Sequence, residues 1–144
     1  MSPGSVADRF DLQRFVDAQE PVYRRVCGEL QAGRKESHWM WFIFPQIAGL
    51  GQSPTAVKFA ISSLEEASAF LSHPVLGPRL RECAALTLSV EGRTARQIFG
   101  PVDEMKFRSS MTLFARAAPE AAVFRQCLDR YFGGAPDPAT LAKL

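Results

Sequence analysis

The chain lacks any long hydrophobic run, holds only three cysteines and two histidines, and carries almost no excess charge. Each shortage removes a class of protein. The longest apolar string is Trp39-Met40-Trp41-Phe42-Ile43-Phe44-Pro45, far below the roughly 20 residues of a membrane-spanning helix, so no membrane partner is expected. The first residues show no apolar stretch after a basic start; no secretory signal and a cytoplasmic protein are expected. Cys27, Cys83 and Cys127 are odd in number and far apart, the pattern of reduced thiols rather than of a disulfide framework. Each falls in a helical pattern, where cysteine ordinarily serves as a small buried apolar residue. His38 and His73 cannot form a helical pair and no Cys-x-x-Cys occurs, so neither a metal nor a cofactor is expected. Seventeen basic against fifteen acidic residues leave +2, which argues against nucleic acid or an anionic membrane surface as the partner.

What remains is a globular composition: 144 residues, 47% hydrophobic, with eleven Phe. That length suits one domain with a sizeable core. Residues 1–10 are expected to be a flexible amino terminus, and 11–144 a single helical domain. Apolar residues recur at helical spacing nearly throughout, between proline and glycine stops. Asp8 or Asp11 caps a first helix bearing Phe15 and Val16, and Pro21 opens a second that ends at Gly33. Ser53-Pro54, Ser63 with Glu66, Thr94 with Gln97, and Asp137-Pro138 are helix-start signals. Asp103 is expected to cap the next long helix, and Pro119 to open the one after it. No segment alternates with a period of two, and the aromatic run is the one place where a strand is conceivable. The spacing predicts an all-α fold, an irregular array of about seven short helices.

Two clusters interrupt these apolar strings with polar groups. The first is Lys35, Ser37, His38, Trp39, Trp41 and Gln46, where two indoles beside a histidine could form a pocket wall that stacks a flat ring. The second is Asp103, Glu104, Lys106, Arg108, Ser109 and Ser110. On one continuous helix Lys106 and Arg108 diverge by about 160° and Glu104 pairs with Arg108. Were the helix to begin near Ser109, both cations would aim the same way and cradle an anion. A third group, Arg79, Arg81, Glu82, Glu91 and Arg93, has the look of a solvated, salt-bridged face, with Glu82 available as an acid or base if desolvated.

Several strings are familiar as a set: Arg14-Phe15-Val16-Asp17-Ala18-Gln19, Gly33-Arg34-Lys35, Ser37-His38-Trp39-Met40-Trp41-Phe42-Ile43-Phe44-Pro45-Gln46, His73-Pro74-Val75-Leu76-Gly77 and Arg108-Ser109-Ser110-Met111-Thr112-Leu113-Phe114. On these the chain closely resembles, from about Asp11 to Leu141, a bacterial family of proteins known as domain of unknown function 1810 (DUF1810). The resemblance implies a small, all-helical bacterial protein without an established activity. Members often carry the label "calpastatin". A disordered protease-inhibiting repeat is polar and poor in aromatics, and this chain is neither.

The leading functional expectation is a small-molecule protein, either a binder of a nucleotide-like or anionic ligand or a hydrolase. His38, Trp39, Trp41, Gln46, Lys106, Arg108, Ser109 and Ser110 are the expected ligand-binding residues, with the Trp39–Gln46 and Lys106–Ser110 segments meeting at a polar-rimmed pocket. Cleavage of a glycosidic bond in an ADP-ribose-like compound would need a carboxylate there. His38, Glu82 and Asp103 are the catalytic candidates. The alternative is a non-catalytic protein–protein interaction module that uses an exposed Trp39–Pro45 aromatic patch. The oligomeric state is not legible.

Overall fold

The computed structural model describes residues 8–144, and among these it is all-helical, with ten helices and no strand. The six helices of seven or more residues are α1 (Gln13–Gln19), α2 (Tyr23–Gln31), α5 (Leu64–Ser72), α6 (Leu76–Leu88), α8 (Asp103–Ala117) and α9 (Ala122–Phe132). Four are single turns: α3 (Met40–Ile43), α4 (Pro54–Lys58), α7 (Ala95–Phe99) and α10 (Pro138–Leu141). Three of the single turns begin at the start signals Ser53, Thr94 and Asp137, and α3 is the one that no start signal announces. None of these helices is long and apolar enough to cross a membrane.

Helix starts follow the capping chemistry of the sequence. Ser53 Oγ accepts from the Ala56 N–H, Thr94 and Gln97 close a reciprocal box, and Asp137 accepts from the Thr140 N–H. Asp8 accepts from the Leu12 and Gln13 N–H groups ahead of α1. Residues 1–7 of the expected flexible amino terminus lie outside the described residues. Ser63 caps α5, but Glu66 does not complete the box. Its buried carboxylate instead accepts from Ser62 and from Arg14, because a buried charge needs a cation more than a cap needs a second bond. Two expected starts are displaced. Asp103 is the first residue of α8 rather than its cap, and α9 opens at Ala122, three residues after Pro119.

Helix α8 is the central element, packed against α5, α7, α9 and α10 and touching α3. Its buried Phe107 sits 5.0 Å from the Phe44 ring and 4.7 Å from Phe99, while Phe114 reaches Phe70 and Phe124. The aromatic run is not a strand. It forms α3 and then extends through Phe44 and Pro45. Trp39, Met40, Ile43 and Phe44 are all buried. A single parallel bridge, Ile47 to Ile61, ties the end of the run to the chain after α4. Helices α5 and α6 meet so closely at their junction that a Cβ on Gly77 would lie 2.1 Å from the Leu71 carbonyl oxygen.

Candidate functional site

The first part of the connector between α2 and α3 is held by the Lys35 N–H on the Ile98 carbonyl and by Arg93 on the Gly33 carbonyl; its second part is gathered by one carboxylate. Glu29 accepts from the Glu36 N–H (2.7 Å), the Ser37 N–H (3.0 Å), the Ser37 hydroxyl (2.6 Å) and the Trp39 indole N–H (2.9 Å). Burial alone would raise its pKa, but the hydrogen bonds from Ser37, Glu36 and Trp39 outweigh burial and hold it down to about 2. Trp39 is consequently core: 1% exposed, with its N–H already spent. It is not a free wall for a ring. The interaction patch expected over Trp39–Pro45 fails for the same reason, since only Trp41 and Phe42 of that run are partly exposed.

The connector also carries Lys35, whose N–H donates to the Ile98 carbonyl at 2.8 Å. Its ammonium lies 2.8 Å from Asp103 Oδ2 and 5.2 Å from the Trp39 ring centroid, with the side chain only 8% exposed. The other carboxylate oxygen of Asp103 takes Lys106 at 3.5 Å, and Lys106 lies 4.8 Å over the Trp41 ring. The two sequence clusters therefore meet, joined by Asp103. Two cations share the Asp103 carboxylate here, while the nearby Glu29 charge is taken up by its own four donors. The two lysines differ in how firmly they are held. Lys35 is nearly enclosed and must stay paired, whereas Lys106 is partly open to solvent and held by a longer i,i+3 pair at 3.5 Å and a cation–π contact, which contribute about 1 kcal/mol each. Lys106 is thus cheap to recruit.

Beside Trp41 the chain folds a narrow crevice lined by Trp41, Gln46, Ile47, Gly51, Ala56, Phe59 and Ala60, of about 10 Å³. That volume holds about one water. The expected pocket is therefore closed: Lys106 lies on the indole, and Gly51 packs onto Ala56 so tightly that a Cβ would stand 2.6 Å from its methyl. Neither the Trp41 indole N–H nor the Gln46 side-chain amide bonds any protein group among the described residues. The Gln46 backbone carbonyl accepts from Ile61.

Other expected residues go elsewhere. Helix α8 runs unbroken from Asp103, so Arg108 turns away from Lys106 and donates to the Ala135 and Pro136 carbonyls. Ser109 shares its one hydroxyl proton between the Met105 carbonyl and the buried Asp137 carboxylate, each at 3.0 Å. Both residues fasten the carboxy-terminal segment, and the converging-cation geometry is excluded. Glu104 pairs with Arg96 rather than Arg108. His38 is exposed and engages no protein group among the described residues. Glu82 stands on α6, away from this corner, accepting from Tyr23 and close to Cys27. Of its charged neighbours, Arg79 clasps Glu20 and Arg81 the Leu71 carbonyl, so the third cluster is a set of cross-helix clasps rather than one salt-bridged face. Ser110 is buried on the Lys106 side of α8, and its hydroxyl has no partner among the described residues.

The family model for proteins of unknown function named DUF1810 matches residues 9–144. The chain belongs to the DUF1810 family. A crystal structure of a conserved hypothetical protein, Rv1873 from Mycobacterium tuberculosis, shares 58% identity with this DUF1810 chain. The match covers 94% of this chain and 96% of that one, at a TM-score of 0.93. Neither description assigns an activity to the DUF1810 fold, and no curated protein matches the chain. Among the described residues no cluster of three or more His, Cys, Asp or Glu could hold a metal ion. Sequence reasoning missed Glu29 altogether. The signal was available, since an indole N–H buried in a connector demands an acceptor nearby.

Proposed function

We propose that the chain binds a small nucleotide-like anion at the corner formed by Trp41, Gln46, Lys35, Asp103 and Lys106. The observation that carries this reading is the shared carboxylate: Asp103 faces Lys35 at 2.8 Å and Lys106 at 3.5 Å. One negative charge between two ammonium groups leaves room for an anion, which would take Lys106 as a charge-assisted donor. As Lys106 swings to the anion it uncovers the Trp41 face for a flat ring, while the indole N–H and the Gln46 amide supply orientation. The reading is of binding. Asp103 has both oxygens engaged, His38 and Glu82 do not join the corner, and no nucleophile is assigned.

The test is a thermal-shift and calorimetric comparison of AMP, adenosine and inorganic phosphate. AMP at 100 times its dissociation constant should add about 2.7 kcal/mol of stability, with adenosine and phosphate each weaker. Lys106→Ala should remove the preference for AMP over adenosine. Equal responses of the wild type and Lys106→Ala would defeat the proposal.

A further inference from the structure

Ser110 has a polar group that the fold seals from solvent without supplying a partner. It is 0% exposed, and its hydroxyl bonds to nothing among the described residues. The same helix shows the ordinary alternative twice. Ser109 donates to the Met105 carbonyl at 3.0 Å, and Thr112 to the Arg108 carbonyl at 2.8 Å. This back-bond to residue i−4 is how hydroxyls inside helices satisfy themselves. The Lys106 carbonyl stands in the same relation to Ser110, yet no such bond forms. Native proteins hold few buried polar groups without partners, and each calls for an explanation.

Its position supplies one. Ser110 is four residues after Lys106 and seven after Asp103 on one unbroken helix, so all three share a flank. We infer that this hydroxyl is kept free to donate a hydrogen bond to a phosphoryl oxygen of the anion bound at Lys106. The inference rests on the binding site proposed above and specifies its ligand. The Lys106 ammonium at the rim suffices for a planar carboxylate. A donor about one turn deeper suits a tetrahedral anion, whose oxygens diverge. The Lys106 side chain reaches up to Trp41, and the inference requires that its departure from the ring give the anion access to the buried hydroxyl. No covalent step is involved, because no base contacts the hydroxyl.

Ser110→Ala in the full chain tests this with two readouts. Without ligand, the melting temperature should stay level or rise, because the substitution deletes a buried group that had no bond to lose. With AMP, the affinity should fall roughly tenfold, as for a lost hydrogen bond to a charged group, while adenosine binding stays unchanged. A melting temperature lower by several degrees would overturn the inference, since the hydroxyl would then already be bonded inside the protein or to a resident water. An unchanged AMP affinity would overturn it too, leaving the anion at Lys106 alone. A wild type that ignores AMP altogether removes the site itself, an outcome distinct from either.

Discussion

Removing the Glu29 side chain should unfasten the Glu36–Trp39 part of the connector. In Glu29→Ala, four donors lose their acceptor. The Glu36 and Ser37 groups lie near the surface and can turn to water. The Trp39 N–H cannot, because its ring is 1% exposed. An orphaned buried donor costs about 1–3 kcal/mol, and the loss of charge-assisted bonds adds to it. A destabilisation of about 3 kcal/mol follows, or roughly 10 °C in melting temperature for a chain of this size. The pH dependence is a second, independent check. The carboxyl sits at about 2 instead of 4.5, so its stabilisation is fully present above pH 4.5 and is lost as the pH falls through 2. That difference corresponds to about 3 kcal/mol at 1.36 kcal/mol per pH unit, reduced to about 2 by solvent at its open edge. Thermal unfolding followed by circular dichroism at pH 7, 5, 4 and 3 should show wild type and variant converging as the pH drops. A gap below about 0.5 kcal/mol at pH 7, within the range of ordinary surface substitutions, or one that widens in acid, would refute the reasoning.

Three further outcomes are expected. Gly77→Ala should cost more than about 3 kcal/mol or prevent folding, because its Cβ would stand 2.1 Å from a backbone oxygen with no room to yield; urea unfolding measures it. In the native protein a bulky thiol reagent should modify Cys27 first, since Cys83 and Cys127 are fully buried and burial pushes the Cys127 thiol up to about 12. Equal labelling rates at all three would contradict the packing. Trp39→Ala should cost about 3–5 kcal/mol as a buried aromatic truncation, while Trp41→Ala, half-buried under a lysine, should cost clearly less yet weaken AMP binding.

The sequence showed most plainly where local chemistry decides the outcome. The caps at Ser53, Ser63, Thr94 and Asp137 and the glycine stop at Gly33 act within a few residues, so their meaning survives folding. The Lys35 and Lys106 clusters were visible as separate strings, but their junction through Asp103 is a contact across 68 residues that no periodicity encodes. Arg108 and Ser109 were assigned to the site because they adjoin Lys106 in sequence, yet a helix points neighbours in different directions, and these two hold the carboxy-terminal segment. Arg14 gave no local hint of its role. Its guanidinium spans the Lys58 and Ala60 carbonyls and the Glu66 carboxylate, fastening α1 to the start of α5.

The two tryptophans provide the most direct measurement of the central claim. In a nitrogen-15 NMR spectrum the chain should give two indole N–H signals, one from Trp39 slowed in hydrogen exchange by its bond to Glu29, and one from Trp41 exchanging freely. Titration with AMP should move the Trp41 signal saturably and leave Trp39 in place, and Lys106→Ala should abolish the movement. Two signals that stay put up to millimolar AMP, or a shift confined to Trp39, would contradict a ligand site at Trp41 and Lys106.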